Sequence, residues 1–341
     1  MKNDFTVSIL MPDTEVLDSF LGGEPMQELK KNFTVRKNTL GRAYTEEELR
    51  IEAHNSDVLI SGWGIATLGN GICSNSRVKL IAHTGGSVGD LVDDTVYSSN
   101  IKVISGNELF AESVAEGTLA YIMSALRRIP DEVNSLKEGG WGVHGLRNKG
   151  IIGKTIGIIG YGMISRHLVR MLAPFRTNIL IYSSHPIPTA FLEENNARQA
   201  SLNEIFLSSD IVSLHSSLNA KTIGMIGKEH FDLLKNGSVF VNTARGAIIR
   251  EEELIDALRE NRFFAVLDVF AKEPLQADSP LRSMDNVYLL PHKAGPTYDF
   301  RKNIGAAIVE DIIAFSEGRS LRYEISSDYA SRMTRHSMAH K

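Results

Sequence analysis

The sequence predicts an α/β protein with parallel sheets in two domains, and three observations carry that prediction. Short β-branched apolar runs alternate with helical periodicities along most of the chain, the pattern of parallel strands covered by helices on both faces. The stretch Lys154–Arg170, KTIGIIGYGMISRHLVR, places a buried strand, a glycine turn and a helix in immediate succession. A length of 341 residues is enough for two separate cores.

Within that stretch Ile156, Ile158 and Ile159 are apolar on both faces, as a central strand requires. Ile164, Leu168 and Met171 or Leu172 then recur at helical spacing. Gly160 permits the tight turn, and Gly162 carries no side chain to hold a pyrophosphate away from the amides at the helix N-terminus. The dinucleotide fingerprint G-x-G-x-x-G puts its third glycine at Ser165, a small residue that widens the helix–strand gap slightly. A glycine turn alone is a weak signal. Its setting between strand and helix is what points to a dinucleotide.

Composition narrows the class. Hydrophobic residues make up 43% and charged residues 23%, with a formal net charge of −4 and no long basic run, so neither nucleic acid nor an anionic membrane is expected as a partner. The single cysteine, Cys73, suits a reducing compartment, and a cytoplasmic location is expected. The N-terminal apolar run is too short for a secretory signal. No metal is expected, because the ten histidines are scattered and no H-E-x-x-H or paired-cysteine pattern occurs.

In chain order, strands are expected at Thr6–Leu10, Asp57–Ile60, Lys79–Ala82 and Lys102–Ile104, with Thr45 and Glu48 forming a capping box for a helix between the first two. His83-Thr84-Gly85-Gly86-Ser87 follows the third of these strands, where it reads either as a plain turn or as an anion nest made by the amides of Gly86 and Ser87. A long helix is predicted over Phe110–Arg128, ended by Pro130. The segment Gly139–Gly150, containing Trp141 and His144, is expected to be a dimer arm, and the residues after Arg319 read as polar and poorly ordered. Six strands are then expected, at Thr155–Ile159, Asn178–Tyr182, Ile211–Leu214, Ser238–Asn242, Phe264–Asp268 and Val287–Leu290, completing a doubly wound nucleotide domain.

The adenosine ribose is expected at the end of the second of these strands. An acidic residue there would mark NAD, but Tyr182-Ser183-Ser184-His185 has none. Ser183, Ser184 and His185 offer donors to a 2′-phosphate, so NADP is favoured slightly, while NAD held by ribose contacts from elsewhere stays open. The remaining chemistry collects after the last three strands, in Asn242–Gly246, Asp268–Pro274 and Leu290–Gly295. One edge of a parallel sheet gathers such strand ends, so Arg245, Glu273 and His292 can converge although far apart in sequence. A carboxylate beside an imidazole fixes its tautomer and favours its protonated form, which makes an acid–base device.

Taken together, Glu112–Glu116, Gly157–Gly162, Val241–Gly246, Leu267–Pro274 and Pro291–Gly295 resemble, in order and spacing, the D-isomer-specific 2-hydroxyacid dehydrogenases over nearly the whole chain. The resemblance implies a Rossmann nucleotide domain, residues 108–295, inserted in a smaller flavodoxin-like substrate domain made of residues 1–107 and 296–341. It implies that Arg245 grips the substrate carboxylate and carbonyl, and that His292 is the acid–base, oriented by Glu273. Thr243 and Asp268 would meet the nicotinamide, Met163 and Ile164 would offer amides to pyrophosphate, and His215 would lie near adenosine. Gly85, Gly86 and Ser87 match the family's carboxylate-binding loop. The implied activity is hydride transfer between NAD or NADP and a small-molecule D-2-hydroxy acid or 2-keto acid, glyoxylate- or hydroxypyruvate-like or larger, by a homodimer. Glu273 stands where formate-oxidising members place an amide. The alternative from another class is a dinucleotide-sensing corepressor that keeps the same trio.

Overall fold

The computed structural model describes residues 4–142 and 148–335. The chain divides into two compact units, residues 1–110 with 296–341, and residues 111–295.

The first unit holds a five-stranded parallel sheet of β1 (Thr6–Pro12), β2 (Thr34–Asn38), β3 (Val58–Ser61), β4 (Leu80–His83) and β5 (Lys102–Ser105), in the order β2-β1-β3-β4-β5. That order is the flavodoxin-like one, with its switch point between β1 and β3. Alternation along β1 and its neighbours explains why both sides need cover. Val7, Ile9, Val58, Ile60, Leu80 and Ala82 pack with the long helix Tyr298–Ser316, while Leu10, Leu59, Ile81 and Val103 pack with Leu49 and Ala53 of the helix Glu46–Asn55 on the other face. Thr45 and Glu48 form the expected capping box on the latter helix.

The second unit holds a seven-stranded parallel sheet. Its strands are β6 (Thr155–Ile159), β7 (Asn178–Tyr182), β8 (Ala197–Gln199), β9 (Ile211–Leu214), β10 (Val239–Asn242), β11 (Phe264–Leu267) and β12 (Val287–Leu289), ordered β12-β11-β10-β9-β6-β7-β8. This is the doubly wound order, with the switch point between β6 and β9. Ile156, Ile158, Ile179, Ile181, Val239 and Val241 fill one face. Phe240 alternates to the other, where it meets Phe206 and Phe231 with ring centroids 6.2 and 5.6 Å away.

Several expectations need correction. β2 and β8 were not foreseen, because both are polar edge strands: along Thr34-Val35-Arg36-Lys37-Asn38 only Asn38 is buried, and β8 is three residues long. Pro130 does more than end the long helix. That helix runs Asn107–Arg127, Arg128 takes a left-handed conformation with φ 57°, and Pro130 sits in the first turn of a second helix, Ile129–Lys137. The described part of the segment after Arg319 is ordered. Ser105 N–H donates to Tyr323 O (3.1 Å) and Ile325 N–H to Val103 O (2.8 Å), while Tyr323, Ile325, Ala330 and Met333 are buried. Widely spaced apolar residues in a polar tail give no periodicity, yet each finds a place beside β5. Of the expected arm 139–150, residues 143–147, with His144, lie outside the described residues.

Candidate active site

Register brings the candidate residues to one edge of the second sheet. Ile159 pairs with Leu214, Leu214 with Asn242, Asn242 with Leu267, and Leu267 with Leu289, so five strands end level with one another. The loops that follow carry Gly160 and Gly162, His215, Thr243 and Arg245, Asp268 and Glu273, and His292.

At the switch point Gly160 adopts φ 106°, and a Cβ there would lie 2.8 Å from Ser216 N and 2.9 Å from His215 C, so only glycine lets the β6 and β9 ends approach. Ser165, at the third-glycine position where a slightly wider helix–strand gap is expected, is fully buried and donates from Oγ to Gly160 O (2.6 Å), clamping the turn. Gly162 is the N-cap of the helix Met163–Leu172, with no side-chain cap, and a Cβ on it would meet open space. Met163 and Ile164 form the first turn of that helix, whose amides carry partial positive charge. An uncapped helix N-terminus at the switch point, with room above its glycine, fits a dinucleotide pyrophosphate.

His215 is buried. Its Nε2 shares a 2.8 Å hydrogen bond with Ser213 Oγ, its Nδ1 has no partner among the described residues, and desolvation pushes its pKa down to about 4. It is therefore neutral at physiological pH. At the end of β7, Ser184 and His185 are exposed, and Ser183 Oγ accepts from His185 N–H (3.2 Å). Gln199 of the unforeseen strand β8 braces this loop, donating from Nε2 to Ser183 O (3.2 Å) and His185 O (3.1 Å) and accepting from Ile187 N–H (3.1 Å). Sequence reasoning missed Gln199 because its strand is too short to show a period.

Glu273 and His292 are brought together. His292 Nδ1 and Glu273 Oε2 lie 2.8 Å apart, and Glu273 Oε1 accepts from Phe270 N–H (3.1 Å). Burial pushes the Glu273 carboxyl up. The His292 hydrogen bond and charge, the Phe270 amide and the Arg245 guanidinium outweigh it and hold the carboxyl below its ordinary value. With Nδ1 engaged, Nε2 is the ring nitrogen left to exchange a proton. Arg245 follows β10 in a turn fixed by buried Asn242, which accepts from Ala244 N–H (3.0 Å) and donates to Arg245 O (3.2 Å). The next residue, Gly246, has no room for a side chain: a Cβ would fall 1.9 Å from Phe270 C, so the β10 and β11 loops touch backbone to backbone.

Asp268 and Thr243 are less open than a direct nicotinamide contact would suggest. Both Asp268 carboxylate oxygens accept amides of the His292 loop, from Lys293 (2.7 Å) and Ala294 (2.8 Å), and its carbonyl accepts His292 N–H (2.9 Å). Burial pushes this carboxyl above its usual range, partly offset by those amides. The buried Thr243 hydroxyl shares a 2.9 Å bond with Thr118 on the helix Asn107–Arg127. That helix is pressed on the same loop, since a Cβ on Gly117 would lie 2.6 Å from Ala294 O. Thr118 was missed at the sequence level: a threonine inside an apolar helix reads as filler until its partner is known.

In the first unit, Gly85 passes over His83, and a Cβ there would lie 2.3 Å from Nε2. Buried His83 bonds Ser61 through Nδ1 (3.0 Å), and burial lowers its pKa to about 4. Ser87 Oγ donates to Thr334 O (2.7 Å) and accepts from Gly89 N–H (3.2 Å). The amides of Gly86 and Ser87 make no hydrogen bond within the described residues. No helix among the described residues is long and apolar enough to cross a membrane.

A doubly wound sheet with a helix N-terminus that has no side-chain cap at its switch point is the architecture of a dinucleotide-binding α/β domain. The family model for the NAD binding domain of D-isomer specific 2-hydroxyacid dehydrogenases matches residues 119–294, and the chain belongs to that family. It is 33% identical over 270 residues to D-3-phosphoglycerate dehydrogenase of Methanocaldococcus jannaschii, an alignment covering 79% of this chain and 51% of the relative. It thus spans about half the length of that relative, and likewise of the Archaeoglobus fulgidus enzyme of the same name. Glyoxylate/hydroxypyruvate reductase B of Escherichia coli is 30% identical over 317 residues, covering 91% of this chain and 96% of the relative. A protein of known crystal structure from Pyrococcus horikoshii superimposes with a TM-score of 0.77 at 25% identity, covering 96% of each chain.

Proposed function

We propose that this protein transfers a hydride between NAD(P) and a D-2-hydroxy acid/2-keto acid pair, acting on the CH–OH group. The observation that carries the reading is the 2.8 Å Glu273–His292 pair on the strand-end edge shared with the Gly160–Gly162 turn. The amides of Met163 and Ile164, above Gly162, hold the pyrophosphate. Bound nicotinamide supplies the hydride for reduction and takes it back in oxidation. As the carbonyl oxygen gains negative charge, Arg245 stabilises it and orients the carboxylate through its planar donors. His292 Nε2 delivers the proton in reduction and removes it from the hydroxyl in oxidation, while Glu273 holds Nδ1 and so keeps the ring in one tautomer. Asp268 acts through the loop, fixing His292 by way of the Lys293 and Ala294 amides. In the first unit, the Gly85-Gly86-Ser87 amides bind a carboxylate.

NADP is accepted and modestly preferred. Ser183, Ser184 and His185 present donors and no carboxylate, but no guanidinium either. The regulatory alternative gains nothing from the named relatives, which are dehydrogenases and reductases. The test is an assay of the purified protein with NADH and NADPH against glyoxylate, hydroxypyruvate, pyruvate and bulkier 2-keto acids, in parent and Arg245→Ala. Turnover should fall by roughly 100-fold in the variant with cofactor binding nearly intact, the loss typical of removing a donor that acts on transition-state charge. Equal kinetics in the two proteins would remove Arg245 from the site, and no turnover with any acid would remove the reading.

A further inference from the structure

The first unit carries an aromatic cluster that hydride transfer does not require. β3 and β4 end level, Ser61 opposite His83, so Trp63, two residues beyond one strand, and Gly85, two beyond the other, leave the same sheet edge side by side. Trp63 stands between Gly62 and Gly64 and is 45% exposed. Its ring meets Phe20 edge-on at 5.4 Å and Phe110 edge-on at 5.9 Å, and the Arg301 guanidinium lies over it at 4.9 Å. Phe110 in turn abuts the loop, with its ring atoms 3.5 Å from where a Gly86 Cβ would be. An apolar surface therefore runs from Gly86 across Phe110 to a half-exposed indole.

Three contacts hold Trp63 in that pose, although an indole left half in water forgoes much of its burial energy. Glyoxylate, anchored on the loop by its carboxylate, has no atoms to reach the indole. A ring-sized substituent does, and an aromatic ring suits the lining better than an aliphatic chain, because edge-to-face contacts and a guanidinium both favour a π-face. We propose that Trp63, with Phe110 beneath it, selects 2-keto and 2-hydroxy acids whose 2-substituent carries an aromatic ring. The inference rests on the carboxylate-binding role given to Gly85-Gly86-Ser87 above.

The experiment has two arms. In the first, kcat/KM for phenylpyruvate and for glyoxylate is measured in the parent, Trp63→Ala and Trp63→Phe. Phenylpyruvate should be the better substrate of the parent, Trp63→Ala should cut the phenylpyruvate-to-glyoxylate ratio by about 10- to 100-fold, the range for losing a side-chain-sized apolar contact, and Trp63→Phe should restore part of it. A parent that prefers glyoxylate, or a ratio unmoved in Trp63→Ala, overturns the proposal. The second arm needs neither turnover nor a change at Trp63. The chain has two tryptophans, and Trp141 is 93% exposed, so Trp141→Phe leaves Trp63 as the sole indole emitter. With NADP present, titration of this variant with D-phenyllactate should shift or quench the emission, and D-lactate should not. Absence of a phenyllactate response overturns the proposal even if other 2-keto acids are turned over. Failure of every acid in the assay, with a phenyllactate response retained, overturns the catalytic reading and leaves the binding preference standing.

Discussion

At the residue scale, the proposal rests first on the Glu273–His292 pair. Glu273 is held below the ordinary carboxylate range, so it stays ionised across the assay range and its own titration falls beneath it. In Glu273→Gln the carboxylate that holds His292 Nδ1 is gone, so delivery of the His292 proton should weaken and the reductive kcat/KM should fall, with its pH profile altered. Superimposable kcat/KM profiles would show that Glu273 does not govern that proton. The proposed cofactor preference can also be tested at a single residue. Ser183→Asp should shift the kcat/KM ratio toward NADH by placing a carboxylate against the 2′-phosphate, and an unaltered ratio would show that this strand end does not read the ribose. The motif residues Arg245, Glu273 and His292 were legible because chemistry restricts their types. Thr118 and Gln199 were not, because a hydroxyl or an amide becomes part of a site only through the partner that the fold brings to it.

At the element scale, the site depends on loops that meet backbone to backbone. Gly246→Ala would push a Cβ into Phe270, where the nearest atoms belong to main chain and cannot rotate away. The expected cost is about 3 kcal/mol, or roughly a 10 °C fall in Tm for a unit of this size, with Arg245 displaced as well. Thermal unfolding followed together with activity checks this, and a variant with parental Tm would mean that the two loops separate at little cost. The central strands were readable from runs of β-branched residues, since a parallel strand covered on both faces has nowhere to place polar side chains. Edge strands β2 and β8 obey no such constraint. The C-terminal segment is the same case, because its order comes from pairing beside β5 and not from any periodicity of its own.

At the scale of the whole molecule, the helix Ile129–Lys137 buries none of its residues within the chain and exposes Ile129, Val133 and Leu136 at helical spacing, followed by Trp141. Such a stripe fits association with a second copy, and we expect a homodimer. Light scattering at micromolar concentration should give about twice the 37.6 kDa chain mass, and Val133→Glu with Leu136→Glu should shift it toward one chain. A single-chain mass for the parent would defeat the expectation.

The amino-acid sequence by itself determined the α/β class, the strand–glycine–helix unit and the residue types of the Glu273–His292 pair, because burial on both faces, a left-handed turn and a carboxylate–imidazole hydrogen bond each tolerate few side chains. Tertiary structure decided the rest. It alone showed that Ser165 clamps the Gly160 turn, that Asp268 spends its carboxylate on the loop bearing His292, and that the Phe110 ring, packed on Trp63, lies against Gly86. Each of these is a contact between side chains and backbone that no local pattern encodes, created when parallel strands end level along one edge.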